Sequence, residues 1–409
     1  MAFTNPRRKE GNMNSQQPVI LAAARTPIGK FGGALSELAA PELGVVASQA
    51  ALARAEIAPD EVQVSIFGQV YQGGSGMNPA RQVGIRAGVP EGSPAMTINQ
   101  VCASGLQAVG LAAQYIRLGE IDVALAGGME SMSRAPYVLP DARWGSKLGH
   151  AKVVDTLLGD GLWDAFADCH MATTADTLAQ EYGISREAQD EYALESQQRY
   201  AAARRACFLS AEIVPVSVPQ RRGAPRVIDD DEYPRPDTDR DALASLRPAF
   251  KDVTTITAGN ASGINDGAAA IVVASAEWAQ AHNRQPLATL SAVTTTGVAP
   301  VRMGIGPAKA TRLLLEKTGL SLDDIDLLEI NEAFAAQVLS VEAELNWDRS
   351  RVNVNGGAIA VGHPVGASGA RILGTLIFEM ERRNVRRGIA ALCAGGGMGI
   401  AALVEREVH

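Results

Sequence analysis

The chain repeats itself, and that restricts its possible folds more than any other feature. "AEIAPDEVQVSIFGQV" (Ala55 to Val70) resembles "TGLSLDDIDLLEINEA" (Thr318 to Ala333) at a shift of 263. In each copy a helix end leads through an acidic turn into an apolar strand. "CASGLQAVGLAAQYIRLGEIDVALAGGME" resembles "GASGARILGTLIFEMERRNVRRGIAALCAGGGMG" at nearly the same shift. Both run Ala-Ser-Gly, amphipathic helix, basic turn, then a strand ending in Ala-Gly-Gly, and matching these ends places Cys393 opposite Leu125. Two matches in the same order predict two related α/β halves.

The shift exceeds half the 409 residues, so extra chain lies between the halves. Residues 18–128 and 254–284 read as the first half, 129–253 as an inserted loop domain, and 285–409 as the second half. The insertion carries helical patterning in "TLAQEYGISREAQDEYALESQQRYAAARRA" and an acidic, proline-bearing loop in "IDDDEYPRPDTDRD". Residues 1–17 are polar and read as a disordered leader. Aromatics are only 5% of the chain and glycine numbers 41, which fits α/β layers packed from small aliphatic residues. A net charge of -8 opposes nucleic-acid or acidic-membrane binding. The four cysteines form no C-x-x-C pair and no apolar run could span a bilayer, so a cytoplasmic protein without metal is expected.

Four polar sites stand at strand-to-helix or glycine junctions. Cys102 precedes a predicted helix, whose N–H groups would lower its pKa and favour thiolate; the competing reading is an inert buried thiol. His363, between Gly362 and Pro364, is a candidate base or a core histidine. Cys393 ends an apolar strand before three glycines, which form either an oxyanion site or a tight turn. Asn331 in "LEINEAFAAQ" is a helix cap or an amide that holds a water or substrate oxygen. Together they suit a thiolate nucleophile with its base.

"NQVCASG", "NEAFA", "GHPVGASG" and "CAGGGMG", in that order, resemble the thiolase family over almost the whole chain. The resemblance implies an α/β thiolase fold of five α-β-α-β-α layers, usually a homotetramer. It implies acetyl-CoA C-acetyltransferase activity, the reversible condensation of two acetyl-CoA to acetoacetyl-CoA and CoA. Cys102 would be the acylated nucleophile, His363 its base and Cys393 the acid/base at the α-carbon. Asn331 with His363, and the N–H groups of Cys102 and Gly395, would form two oxyanion sites. Arg235 would meet the adenine and phosphate end of coenzyme A, with Phe250 and Ser262 along its arm. Leu162, His170, Met171 and Met303 would line the pantetheine and acyl pocket. Coenzyme A thioesters are substrates here, and no separate cofactor is implied. Departures from the family are Gln100 in place of a basic residue, and Ala103, Ala172 and Cys207 in place of glycine. Ala103 and Ala172 would add methyls near the acyl pocket. The alternative function is a broader 3-ketoacyl-CoA thiolase of fatty-acid or aromatic breakdown. A decarboxylating condensing enzyme, a non-catalytic acyl-CoA-binding protein and a cysteine hydrolase explain the residues less well.

Overall fold

The computed structural model describes residues 15–145 and 147–408; positions 1–14 of the expected leader lie outside the described residues. The first half contributes β1 (Pro18–Arg25), β2 (Val64–Gly68), β3 (Ala95–Ile98), β4 (Val123–Ser131) and β5 (Asn265–Ser275). The second contributes β6 (Ala288–Gly297), β7 (Leu327–Ile330), β8 (Arg387–Ala394) and β9 (Met398–Glu405). Their order is β7-β8-β9-β6-β1-β5-β4-β2-β3. The strands of the two halves pair with each other at two residue pairs, Val19 with Thr289 and Ile20 with Ala288. On either side of that junction the pattern is the same. Two antiparallel pairings, β1–β5–β4 or β6–β9–β8, lead outward to a parallel strand, β2 or β7.

Strand register corrects one sequence expectation. Val64 lies beside Ala124, and its counterpart Leu327 beside Gly388. Ala124 and Gly388 are thus equivalent, at the same shift of 264 that relates Cys102 to Gly366, so this helix-to-strand segment aligns without a gap and Cys393 corresponds to Met129 rather than Leu125. The two Ala-Gly-Gly runs stand at different heights on equivalent strands, so matching them misplaced the register.

Helices α1 (Ala40–Ala55) and α2 (Pro79–Arg86) cover the outer face of the first half, where Leu43, Leu52 and Val83 pack with Phe67, Leu125 and Val272. Helix α3 (Ser104–Arg117) lies on the inner face. The insertion supplies α4 (Met171–Glu181) and α5 (Arg186–Arg205). In the second half, α6 (Gly306–Thr318) and α7 (Ala335–Leu345) are outer, burying Leu314, Val338 and Val341 against Leu328, Ile389 and Leu403. Helix α8 (Val365–Arg383) joins α3 between the two halves, where Leu106, Ile116, Ile372 and Ile377 meet Ile20, Ile271 and Ile400. This is the α-β-α-β-α arrangement of five layers that the resemblance implied. Strands covered on both faces read as continuous apolar runs, and all eleven residues of β5 are buried.

Glycine lets the two central helices touch backbone to backbone. A Cβ on Gly369 would stand 2.4 Å from the backbone nitrogen of Leu106, and one on Gly105 2.9 Å from that of Ala370. This contact sets the two helix N-termini side by side. The expected insertion start at Met129 falls inside β4, which continues to Ser131. Tyr192 and Ser196 of α5 donate to buried Glu332, tying the insertion to the second half. Among the described residues no helix is long and apolar enough to cross a membrane.

Candidate active site

The loop before α3 holds Cys102 through an unusual backbone. Val101 has φ 50°, a left-handed conformation that costs a β-branched residue of order 1–3 kcal/mol. Its neighbours enforce it. Asn99 Oδ1 accepts from the Val101 N–H at 2.9 Å, and Ser104 Oγ accepts from the Gln100 N–H and donates to the Val101 carbonyl. The thiol that results faces the N–H groups of Gly395 and of Cys102 itself. Burial outweighs these donors and, with a contribution from the Glu130 charge, pushes the thiol up to about 11. The expectation of a resting thiolate is therefore corrected: the helix start is present, but loss of water is the larger effect.

His363 opens the equivalent loop before α8. Its Nδ1 lies 2.6 Å from Ser368 Oγ, whose own hydrogen goes to the Pro364 carbonyl at 3.0 Å. Ser368 must then accept, so the ring carries Nδ1–H and Nε2 is left as the acceptor. Asn331 Nδ2 approaches Nε2 at 3.4 Å, and Arg371 reaches Asn331 Oδ1 at 3.5 Å, which orients the amide. Arg371 is itself buried beside Glu329. Burial, reinforced by Arg371, holds His363 down to about 3, so the ring is neutral at pH 7.

Cys393 is the last residue but one of β8 and is buried; burial, then the neighbouring Cys102, carries its thiol well above the usual cysteine range. Gly396 and Gly397 follow with φ 76° and 83°, a turn that glycine alone makes without strain. Cys102, His363, Cys393 and Gly395 all line one apolar cavity of about 290 Å³. Leu162, His170, Met171, Phe250, Ser262 and Met303 line it as well. His170 caps α4 by accepting the Ala172 N–H at Nδ1, which leaves its proton on Nε2, and its ring sits 4.0 Å from that of Phe250.

Two expected residues stand outside the cavity wall. Asn331 is behind His363, and Arg235 is exposed at the rim, donating to the Tyr233 hydroxyl at 2.9 Å. Ala172 does line the cavity, but Ala103 does not. Its methyl packs into the core between the halves, correcting the idea that it narrows the acyl pocket. Cys207 adopts φ 59°, the left-handed geometry for which glycine is the usual residue. Sequence reasoning missed Ser368, Val101 and Glu130. The Ser in "GHPVGASG" was the available signal for the first; nothing local marks the other two.

Comparison with known proteins agrees with the geometry. Residues 18–277 match the thiolase N-terminal domain and 284–406 the thiolase C-terminal domain. A curated acetyl-CoA acetyltransferase of Cupriavidus necator is 54% identical over 389 residues, covering 95% of this chain and 99% of that one. The crystal structure of the Bacillus anthracis acetyl-CoA acetyltransferase superposes with TM-score 0.94 at 45% identity, covering 96% and 100%. Human mitochondrial 3-ketoacyl-CoA thiolase gives TM-score 0.92 at 43% identity, covering 96% and 99%. The protein is an acyltransferase by fold and kinship. It belongs to the thiolase family.

Proposed function

We propose that the chain is an acetyl-CoA C-acetyltransferase that reversibly condenses two acetyl-CoA into acetoacetyl-CoA and CoA. The observation that carries this reading is the convergence of two thiols and a lone-pair-bearing imidazole on one apolar cavity. The resting pair is thiol and neutral imidazole, so the proton leaves Cys102 only as its sulfur attacks the thioester carbonyl. His363 Nε2 takes that proton and becomes a donor to the oxyanion, with Asn331 acting through a water. Collapse of the intermediate expels the CoA thiolate, which Cys393 protonates. The Cys393 thiolate then removes a proton from the α-carbon of a second acetyl-CoA. The resulting carbanion attacks acyl-Cys102, whose new oxyanion is held by the N–H groups of Cys102 and Gly395. Cys102 leaves as thiolate and recovers its proton from His363, closing the cycle.

Every proton has a protein carrier, so coenzyme A thioesters are the substrates and no separate cofactor is required. Arg235 at the rim suits the phosphate end of coenzyme A. Exposed Tyr137, Trp144 and Leu148 in the insertion support assembly into a homotetramer. Four unpaired cysteines fit a reducing cytoplasm.

The test compares CoA-dependent cleavage of acetoacetyl-CoA and 3-ketodecanoyl-CoA, with Cys102→Ala as control. Preference for acetoacetyl-CoA is expected. Equal or better use of the long chain favours the broader 3-ketoacyl-CoA reading, to which the human thiolase likeness lends weight. Cleavage by the alanine variant refutes both.

A further inference from the structure

Glu130, at the end of β4, has no place in the chemistry above, yet it is fully buried. Its carboxylate collects three backbone N–H groups: Val70 at 2.9 Å and Gly366 at 3.0 Å on Oε2, and Tyr71 at 3.1 Å on Oε1. Each leads to a different wall of the cavity. The Val70 carbonyl accepts from Asn99 Nδ2, and Asn99 in turn holds the Val101 N–H beside Cys102. Gly366 lies between His363 and Ser368 in the first turn of α8. The Tyr71 hydroxyl donates to the Leu157 carbonyl at 3.0 Å, at the start of the segment that reaches Leu162. The approach at Gly366 is closed to any side chain, because a Cβ there would stand 2.7 Å from Glu130 Oε2.

We propose that Glu130 is a positioning residue: one buried carboxylate that ties the nucleophile loop, the histidine loop and the Leu157–Leu162 segment into a single rigid frame. Burial is the largest influence on the Glu130 carboxyl and pushes it up to about 8; the three N–H donors oppose this and neighbouring Asp266 adds to it. The strut rests on the three hydrogen bonds, which its oxygens accept in either protonation state. Burial is what chiefly raises the Cys102 thiol, and Glu130 adds a smaller contribution in the same direction. The inference rests on the thiolase reading for its rate assay but has a second readout that does not.

The experiment compares Glu130→Gln and Glu130→Met with wild type. Glutamine keeps an acceptor for Val70 and Gly366 but turns an NH₂ toward the Tyr71 N–H; methionine removes all three bonds. Misplacing reacting groups by about 1 Å costs of order 10²-fold, so kcat should fall roughly 3–10-fold in the glutamine variant and roughly 100-fold in the methionine variant. KM for acetoacetyl-CoA should stay within about 3-fold, since no cavity-lining side chain changes. Iodoacetamide labelling of the Cys102 peptide at pH 8, read by mass spectrometry, should speed up several-fold in the methionine variant while Cys393 stays protected. Labelling needs no turnover, so a wild type that cleaves no 3-ketoacyl-CoA would fail the proposed function while still testing Glu130. Unchanged kcat and unchanged Cys102 labelling overturn the proposal. So does equal acceleration at Cys393, which reports loosening of the whole fold. If methionine prevents folding, the glutamine variant decides alone: wild-type kcat in that protein overturns it.

Discussion

Ser368→Ala isolates one hydrogen bond and has a calculable consequence. Ser368 Oγ accepts the Nδ1–H of His363 at 2.6 Å, and both residues are buried. Its removal leaves a buried donor unpaired, at a cost of about 1–3 kcal/mol. The ring loses the bond that holds its proton on Nδ1 and keeps Nε2 turned toward Cys102, so the productive tautomer and orientation are disfavoured by about the energy of that bond. At about 1.4 kcal/mol per factor of ten, 2 kcal/mol removes roughly 30-fold from kcat, and the full range spans about 5-fold to about 150-fold. Substrate contacts are untouched, so KM for acetoacetyl-CoA should hold. The assay is steady-state thiolysis on protein whose thermal melt remains cooperative. A kcat within twofold of wild type, or a loss confined to KM, refutes the tautomer assignment.

Two further outcomes follow from the same geometry. Gly369→Ala should cost about 3 kcal/mol or more in urea unfolding, because its methyl meets the Leu106 backbone, whereas Gly374→Ala on the same helix meets only the Ala23 methyl at 3.4 Å and should be tolerated; equal losses would contradict the close crossing. Acid stability should depend on His363: an unfolded histidine binds a proton near pH 6.5 that the buried ring refuses until about 3, so stability falls as pH drops through that window. Glu130 and Glu329, pushed up to about 8 by burial, act in the opposite direction, losing stability as pH rises from their ordinary range. The His363 contribution is read as the difference in melting temperature between wild type and His363→Asn from pH 6.5 to 4, and parallel curves would exclude it.

Much of the site was legible because its residues sit in short glycine-framed motifs. Cys102, His363, Cys393 and Gly395 were all read from such motifs, and all reach the cavity. The insertion's contributors, from Leu162 to Phe250, were reached through family resemblance rather than local pattern. Ser368 was visible as a letter but not as a partner, since its role depends on which atom its hydrogen serves. Glu130 was invisible. A glutamate in an apolar strand has no local pattern that names Val70, Tyr71 and Gly366 as its donors.

The sequence alone determined the duplication, the alternation of strand and helix, and the order of the four motifs. These are short-range or periodic properties, and adjacent residues carry them. Only the tertiary structure decided the register that pairs Cys393 with Met129, the placement of Ala103 in the core and the protonation of the reactive groups. Register and packing depend on which distant strand or helix lies alongside. The proton balance of Cys102 depends on removal of water by every layer around it, and that sum outweighed the helix start that the sequence made plain.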